Sequence, residues 1–135
     1  MDAELTYLAL SAGLCAILWV PYVLARVFAW GLMPAMGYPK DPPALPDWAQ
    51  RSYRAHMNMV ENLAVFAALV LVAKLAGVTD DMVGLGALLF FWARVAHAIV
   101  FVAGIPVLRT LAFVVSWVGL LLIFVAVIGA PAAAG

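Results

Sequence analysis

Residues Arg51–Ala76 read RSYRAHMNMVENLAVFAALVLVAKLA, a run whose first half carries Arg51, Arg54, His56, Asn58, Glu61 and Asn62 and whose second half is almost wholly apolar. A hydrocarbon core of roughly 30 Å is crossed by about 20 residues of helix. A span taken from about Tyr53 to Ala76 therefore draws most of the polar cluster into the bilayer. Such groups are costly there, and a cluster of them at membrane depth marks a functional site by default. Fold and function turn on the same segment.

The remainder of the chain has a matching composition. Its 135 residues are 68% hydrophobic and 10% charged, and the mean hydropathy is +1.12, which places the chain in the membrane class. Further apolar stretches long enough to cross a bilayer run at about Leu5–Leu32, Met82–Ala103 and Val107–Ala130. Gly31 with Pro34, the Gly77–Asp81 segment and Gly104-Ile105-Pro106 supply the stop and turn chemistry between them. The expected architecture is all-α: one domain over residues 1–135, a four-helix up-down-up-down membrane bundle, because the second and third connections are too short for anything but antiparallel neighbours. The first connection, about Pro34 to Gln50, holds Pro34, Pro39, Pro42, Pro43 and Pro46, which predict extended or turn backbone. A loop of that length is either functional or a stiff surface strap.

The acidic start, Asp2 and Glu4, and the length of the first apolar run argue against a cleaved signal peptide. Cys15 has no partner cysteine and reads as a packing residue. The Pro131–Gly135 tail is expected to be disordered. Arg26, Lys40, Arg51, Arg54 and Arg109 gather around one membrane face, with only Lys74 near the other. The positive-inside rule then sets the long first loop in the cytoplasm and both termini outside; in a prokaryote the membrane is the inner one. A formal net charge of zero gives no reason to expect nucleic-acid binding. No phosphate-binding loop, HExxH or cysteine cluster suggests ATP or a metal.

At about 100° per residue, Arg51, Arg54, Asn58, Glu61 and Asn62 fall within roughly 100° of arc on the second helix, while His56 points away. Arg94, His97 and Phe101 recur on one face of the third. Glu61 and Arg94 each lie roughly 15 Å from the cytoplasmic surface, so an ion pair between them is expected. The arginines outnumber this single embedded acid. Arg51 and Arg54 can reach lipid phosphates, but Arg26 and Arg94 are deeper. Surplus guanidinium within the membrane asks for an anionic guest, preferably one with carboxylates that arginine grips through two parallel hydrogen bonds. An ammonium group on the same guest would engage Glu61, and Asn58 and Asn62 would serve its amides.

The run Arg54-Ala55-His56-Met57-Asn58-Met59-Val60-Glu61-Asn62, followed by Phe66, resembles the signature of the MAPEG superfamily, the membrane-associated proteins in eicosanoid and glutathione metabolism. Arg94-Val95-Ala96-His97 and then Arg109-Thr110 are similar to its microsomal prostaglandin E synthase and glutathione transferase branches, and the resemblance covers almost the whole chain. It implies a homotrimer in the lipid bilayer, with glutathione as co-substrate bound between subunits near the cytoplasmic side. It further implies glutathione-binding roles for Arg54, Asn58 and Glu61, for Arg26, and for Arg94 and His97. Arg51 on the same stripe and Thr110 complete the candidate binding set, and Arg109 resembles the arginine that faces the glutathione sulfur. The implied chemistry is conjugation of the thiolate to a lipophilic electrophile, or its reduction, as in a transferase or peroxidase.

Phe101 stands where related sequences often place a tyrosine, which removes a phenolic donor. A non-catalytic membrane protein that keeps the fold and its pocket is therefore an alternative. A small transporter is a further one, but the third and fourth helices offer no polar track through the outer half of the membrane.

Overall fold

Among the described residues, 1–132, four helical spans are long and apolar enough to cross a membrane. In the computed structural model the elements are α1 Ala3–Ile17, α2 Val20–Trp30, α3 Leu32–Met36, α4 Asp47–Leu75, α5 Asp81–Ala103 and α6 Pro106–Gly129. Residues 133–135 of the expected disordered tail lie outside the described residues.

The first span is α1 and α2 together, interrupted at Leu18 and Trp19. Pro21 causes the break, since it has no N–H to donate and its ring crowds the carbonyl of Ile17. That span ends at Trp30 rather than Leu32, because Gly31 takes a φ of +88°. The first connection is more helical than its prolines predict. Pro34 lies in the first turn of the short α3, where a missing N–H is harmless. Pro46 caps α4, which begins at Asp47 rather than Tyr53 and so extends the second span by a turn and a half.

The ends alternate as an up-down-up-down bundle requires. Asp2 forms an ion pair with Lys74, which ties the chain start to the end of α4. The α4–α5 loop and the end of α6 share a hollow at that same end. At the opposite end Arg51, near the start of α4, meets the Gly104 turn between α5 and α6.

α5 is the central helix, packed most extensively on α6 and also on α4 and α1. Its buried positions Val83, Ala87, Phe90, Arg94, His97 and Phe101 recur at alternating four- and three-residue steps, the spacing of a left-handed helix-packing seam. Val83, Ala87 and Phe90 join Met59, Phe66, Val70 and Ala73 of α4 and Leu120, Ile123 and Ala126 of α6 in one apolar core. Phe66 and Phe90 stack with ring centroids 4.0 Å apart. Gly86 and Gly119 let α5 and α6 approach backbone to backbone: a Cβ on Gly86 would stand 2.5 Å from the Gly119 carbonyl oxygen. Outside this core, Phe28, Leu75, Val107 and Ile128 stand exposed, as a surface solvated by lipid tails requires.

Candidate functional site

The seam of α5 changes character halfway along. Below Phe90 it is apolar; above it come Arg94, 1% exposed, and His97, 3% exposed. Arg94 donates from Nη2 to Asn58 Oδ1 at 2.6 Å. Asn62 donates from Nδ2 to the Asn58 backbone carbonyl at 2.8 Å. The expected Glu61–Arg94 pair is not made, and the register explains why. Arg51 donates from Nε to the carbonyl of Val102 at 3.0 Å. Counting from that contact along antiparallel helices sets Asn58 beside Arg94, and Glu61 about one turn deeper. Glu61 is also rotated roughly 60° around α4 from Asn58 and lies exposed on its flank. Arg94 keeps Nε and Nη1 without hydrogen-bond partners.

Arg51 is held by the end of α5. Its guanidinium lies over Gly104, whose φ of +80° closes the helix and whose absent side chain makes the room, a Cβ there meeting Arg51 Cζ at 3.1 Å. A cation at a helix C-terminus complements the carbonyls left free there.

Asn58, His97, Phe101, Arg109, Thr110 and Phe113 line a cavity of about 290 Å³ between α4, α5 and α6. The Arg109 guanidinium lies over the Phe101 ring, 4.8 Å from its centroid. His97 stands edge-on to the same ring at 5.3 Å. Thr110 donates its hydroxyl to the Pro106 carbonyl at 3.2 Å, so the oxygen keeps only acceptor capacity toward the cavity. Arg109 and Thr110 also border a hollow of about 320 Å³ walled by Pro106, Val107 and Leu111. Arg109 therefore borders both the recess that Asn58, His97 and Thr110 line and a second, more apolar one. Phe113, which no motif marks, is part of the wall.

Arg26 and Arg54 lie elsewhere on the same chain. They line a separate hollow of about 250 Å³ with Leu45, Ala49, Gln50 and Tyr53. Arg26 is boxed by aromatic faces, its Cζ 5.1 Å from the Tyr22 centroid and 5.9 Å from those of Trp30 and Tyr53. Its Nε is buried without a hydrogen-bond partner. His56 Nδ1 and the Tyr22 hydroxyl are hydrogen-bonded at 2.7 Å on this side. The loop is tied down by Trp30 Nε1, which donates to the Pro43 carbonyl at 2.8 Å.

The chain thus brings Asn58, His97, Arg109 and Thr110 to one cavity and Arg26 and Arg54 to another, with Arg94 behind Asn58, Arg51 at the α5 terminus and Glu61 on the open flank of α4. Among families, the model described as the MAPEG family matches residues 8–129. The chain belongs to the MAPEG family. Membership makes it a multi-pass membrane protein of eicosanoid and glutathione metabolism. Comparison of this MAPEG chain with curated proteins and with solved structures gave no match.

Proposed function

We propose that this MAPEG protein binds glutathione between neighbouring copies of itself, near the cytoplasmic face, and activates the bound thiol toward lipophilic electrophiles. The observation that carries the reading is Arg109 shared by two recesses, one that also holds the polar side chains of Asn58, His97 and Thr110 and one walled mainly by Pro106, Val107 and Leu111. A free thiol ionises near pH 8.5, and an adjacent guanidinium favours the thiolate. Arg109 would hold that sulfur anion, while the apolar hollow admits an electrophile from the lipid. Holding both reactants at one membrane level replaces a bimolecular encounter by a positioned one.

The subunit arrangement is part of the same proposal. Each recess alone is close to or below the lower end of the roughly 300–1,000 Å³ of ligand pockets that enclose their guests. Glu61, at the midpoint of α4, and Arg54 are exposed on one flank of the single subunit. A carboxylate facing lipid at that depth is costly, so a second copy is expected to cover it. In a closed ring of head-to-tail contacts the Arg26 side of one copy meets the Asn58–Arg109 side of the next, and family resemblance sets the ring at three. Arg26 would then complete a cavity begun by its neighbour. Termini outside and first loop cytoplasmic follow from the arginine and lysine placement.

Arg54→Ala or Glu61→Ala is expected to weaken glutathione binding by about tenfold or more, the loss of one charge-assisted hydrogen bond. Calorimetry on detergent-purified protein measures it; unchanged affinity would remove those residues from the site. A binding protein without turnover is the second reading, favoured by Phe101, whose ring offers Arg109 a face but no hydroxyl. Phe101→Tyr adds that donor beside His97 and Arg109 and is expected to raise conjugation of an aromatic electrophile several-fold. A rate identical to that of the native protein would mean the phenol is irrelevant here.

A further inference from the structure

Arg94 has no place in the wall of the cavity that Asn58 lines. It is almost wholly buried, and its one hydrogen bond goes to the Asn58 side chain. The direction of that bond is dictated by chemistry: a guanidinium only donates, so the Asn58 atom facing it must be the carbonyl oxygen. Asn62 reinforces the choice, since its Nδ2 lies 3.4 Å from the same Oδ1 as well as 2.8 Å from the Asn58 backbone carbonyl. The Asn58 amide is thereby prevented from flipping. With its oxygen consumed behind the wall, its Nδ2 hydrogens are the face left for the cavity.

We infer that Arg94 is a positioning residue that locks the Asn58 carboxamide with its donor end toward the cavity, so that Asn58, with the Arg109 guanidinium across from it, selects an electron-rich group such as a carboxylate or peptide carbonyl. The inference rests on the glutathione reading for the identity of the guest, but not for the lock itself. It also accounts for a buried arginine facing a neutral amide. An aspartate at position 58 would serve the guanidinium better as a charge partner, yet would turn acceptor oxygens toward the cavity and repel an anion there.

That opposition between stability and binding is the test. Asn58→Asp is expected to melt no lower than the native protein, and to bind glutathione at least about tenfold more weakly, through loss of a donor hydrogen bond and gain of repulsion. Arg94→Met is expected to lose affinity as well, Arg94→Lys to recover part of it by restoring a donor to Oδ1, and Arg94→Met in an Asn58→Ala background to cost no further affinity. Asn58→Asp binding like the native protein would overturn the lock, and so would losses from Asn58→Ala and Arg94→Met that simply add. If the native protein binds no glutathione, the functional reading fails separately. The lock is then decided by thermal melting alone: Asn58→Asp tolerated when Arg94 is present but lowering the midpoint in an Arg94→Met background upholds it, and the same midpoint shift in both backgrounds refutes it.

Discussion

Replacing Arg109 by alanine is expected, on the proposed activation of glutathione, to remove most of the ultraviolet thiolate absorbance predicted for the bound thiol and to slow the proposed conjugation by about 10²–10³-fold. An opposite charge next to an ionising group favours its charged form by about 1–3 pKa units, so deleting the cation returns the bound thiol toward its solution value near 8.5. At neutral pH most of the sulfur would then be protonated and a poor nucleophile. The fold should survive the change. Arg109 is only partly buried and lies over the Phe101 ring, a contact worth about 0.5–1 kcal/mol at such a site. Arg109→Lys keeps the charge without the planar fork, and an intermediate rate is expected. A full thiolate signal in Arg109→Ala would assign the activation to another group.

The largest effect on stability is expected at the crossing of α5 and α6. Alanine at Gly86 would set a Cβ 2.5 Å from the Gly119 carbonyl oxygen and 2.7 Å from Ile123 Cγ1, and alanine at Gly119 would set one 2.6 Å from the Gly86 carbonyl oxygen. Two of these neighbours are backbone and do not move aside as a flexible side chain does, so the helices must separate. Each single alanine is expected to cost about 1–3 kcal/mol, and valine more. Thermal melting in detergent measures the loss. Gly84→Ala is the internal control, because nothing lies within 4 Å of the Cβ it would add. Separation would also disturb the cavity, since α5 carries His97 and Phe101 while α6 carries Arg109 and Thr110. Melting of Gly86→Ala and Gly119→Ala at the native midpoint would mean that close approach contributes nothing to this packing.

Spans were legible in the sequence because hydrophobic length is a strong signal that depends on nothing outside the segment. Their inner boundaries were not. Pro21 reads locally as tolerable within an apolar run, yet it divides the first span at Leu18 and Trp19; Pro46 reads as a breaker, yet it caps α4. The polar stripe on the second helix was legible as an arc, but an arc does not tell which of its members face a neighbour. Asn58 turns toward α5 and takes Arg94, while Glu61 remains on the flank, because the Arg51–Val102 contact sets a register that no single segment encodes. Gly119 and Phe113 carried no readable signal: each matters through a residue on another helix. Likewise His56, on the side of α4 away from the stripe, joins Tyr22 beside Arg26.

The central claim is that cationic side chains gathered within the membrane hold a small acidic thiol peptide. An equilibrium titration of the purified protein with glutathione, followed by calorimetry, tests it most directly. Saturable binding is expected, weakened as salt and competing anions are raised. Absence of binding heat across temperatures, in a preparation shown to be folded and assembled, would contradict it.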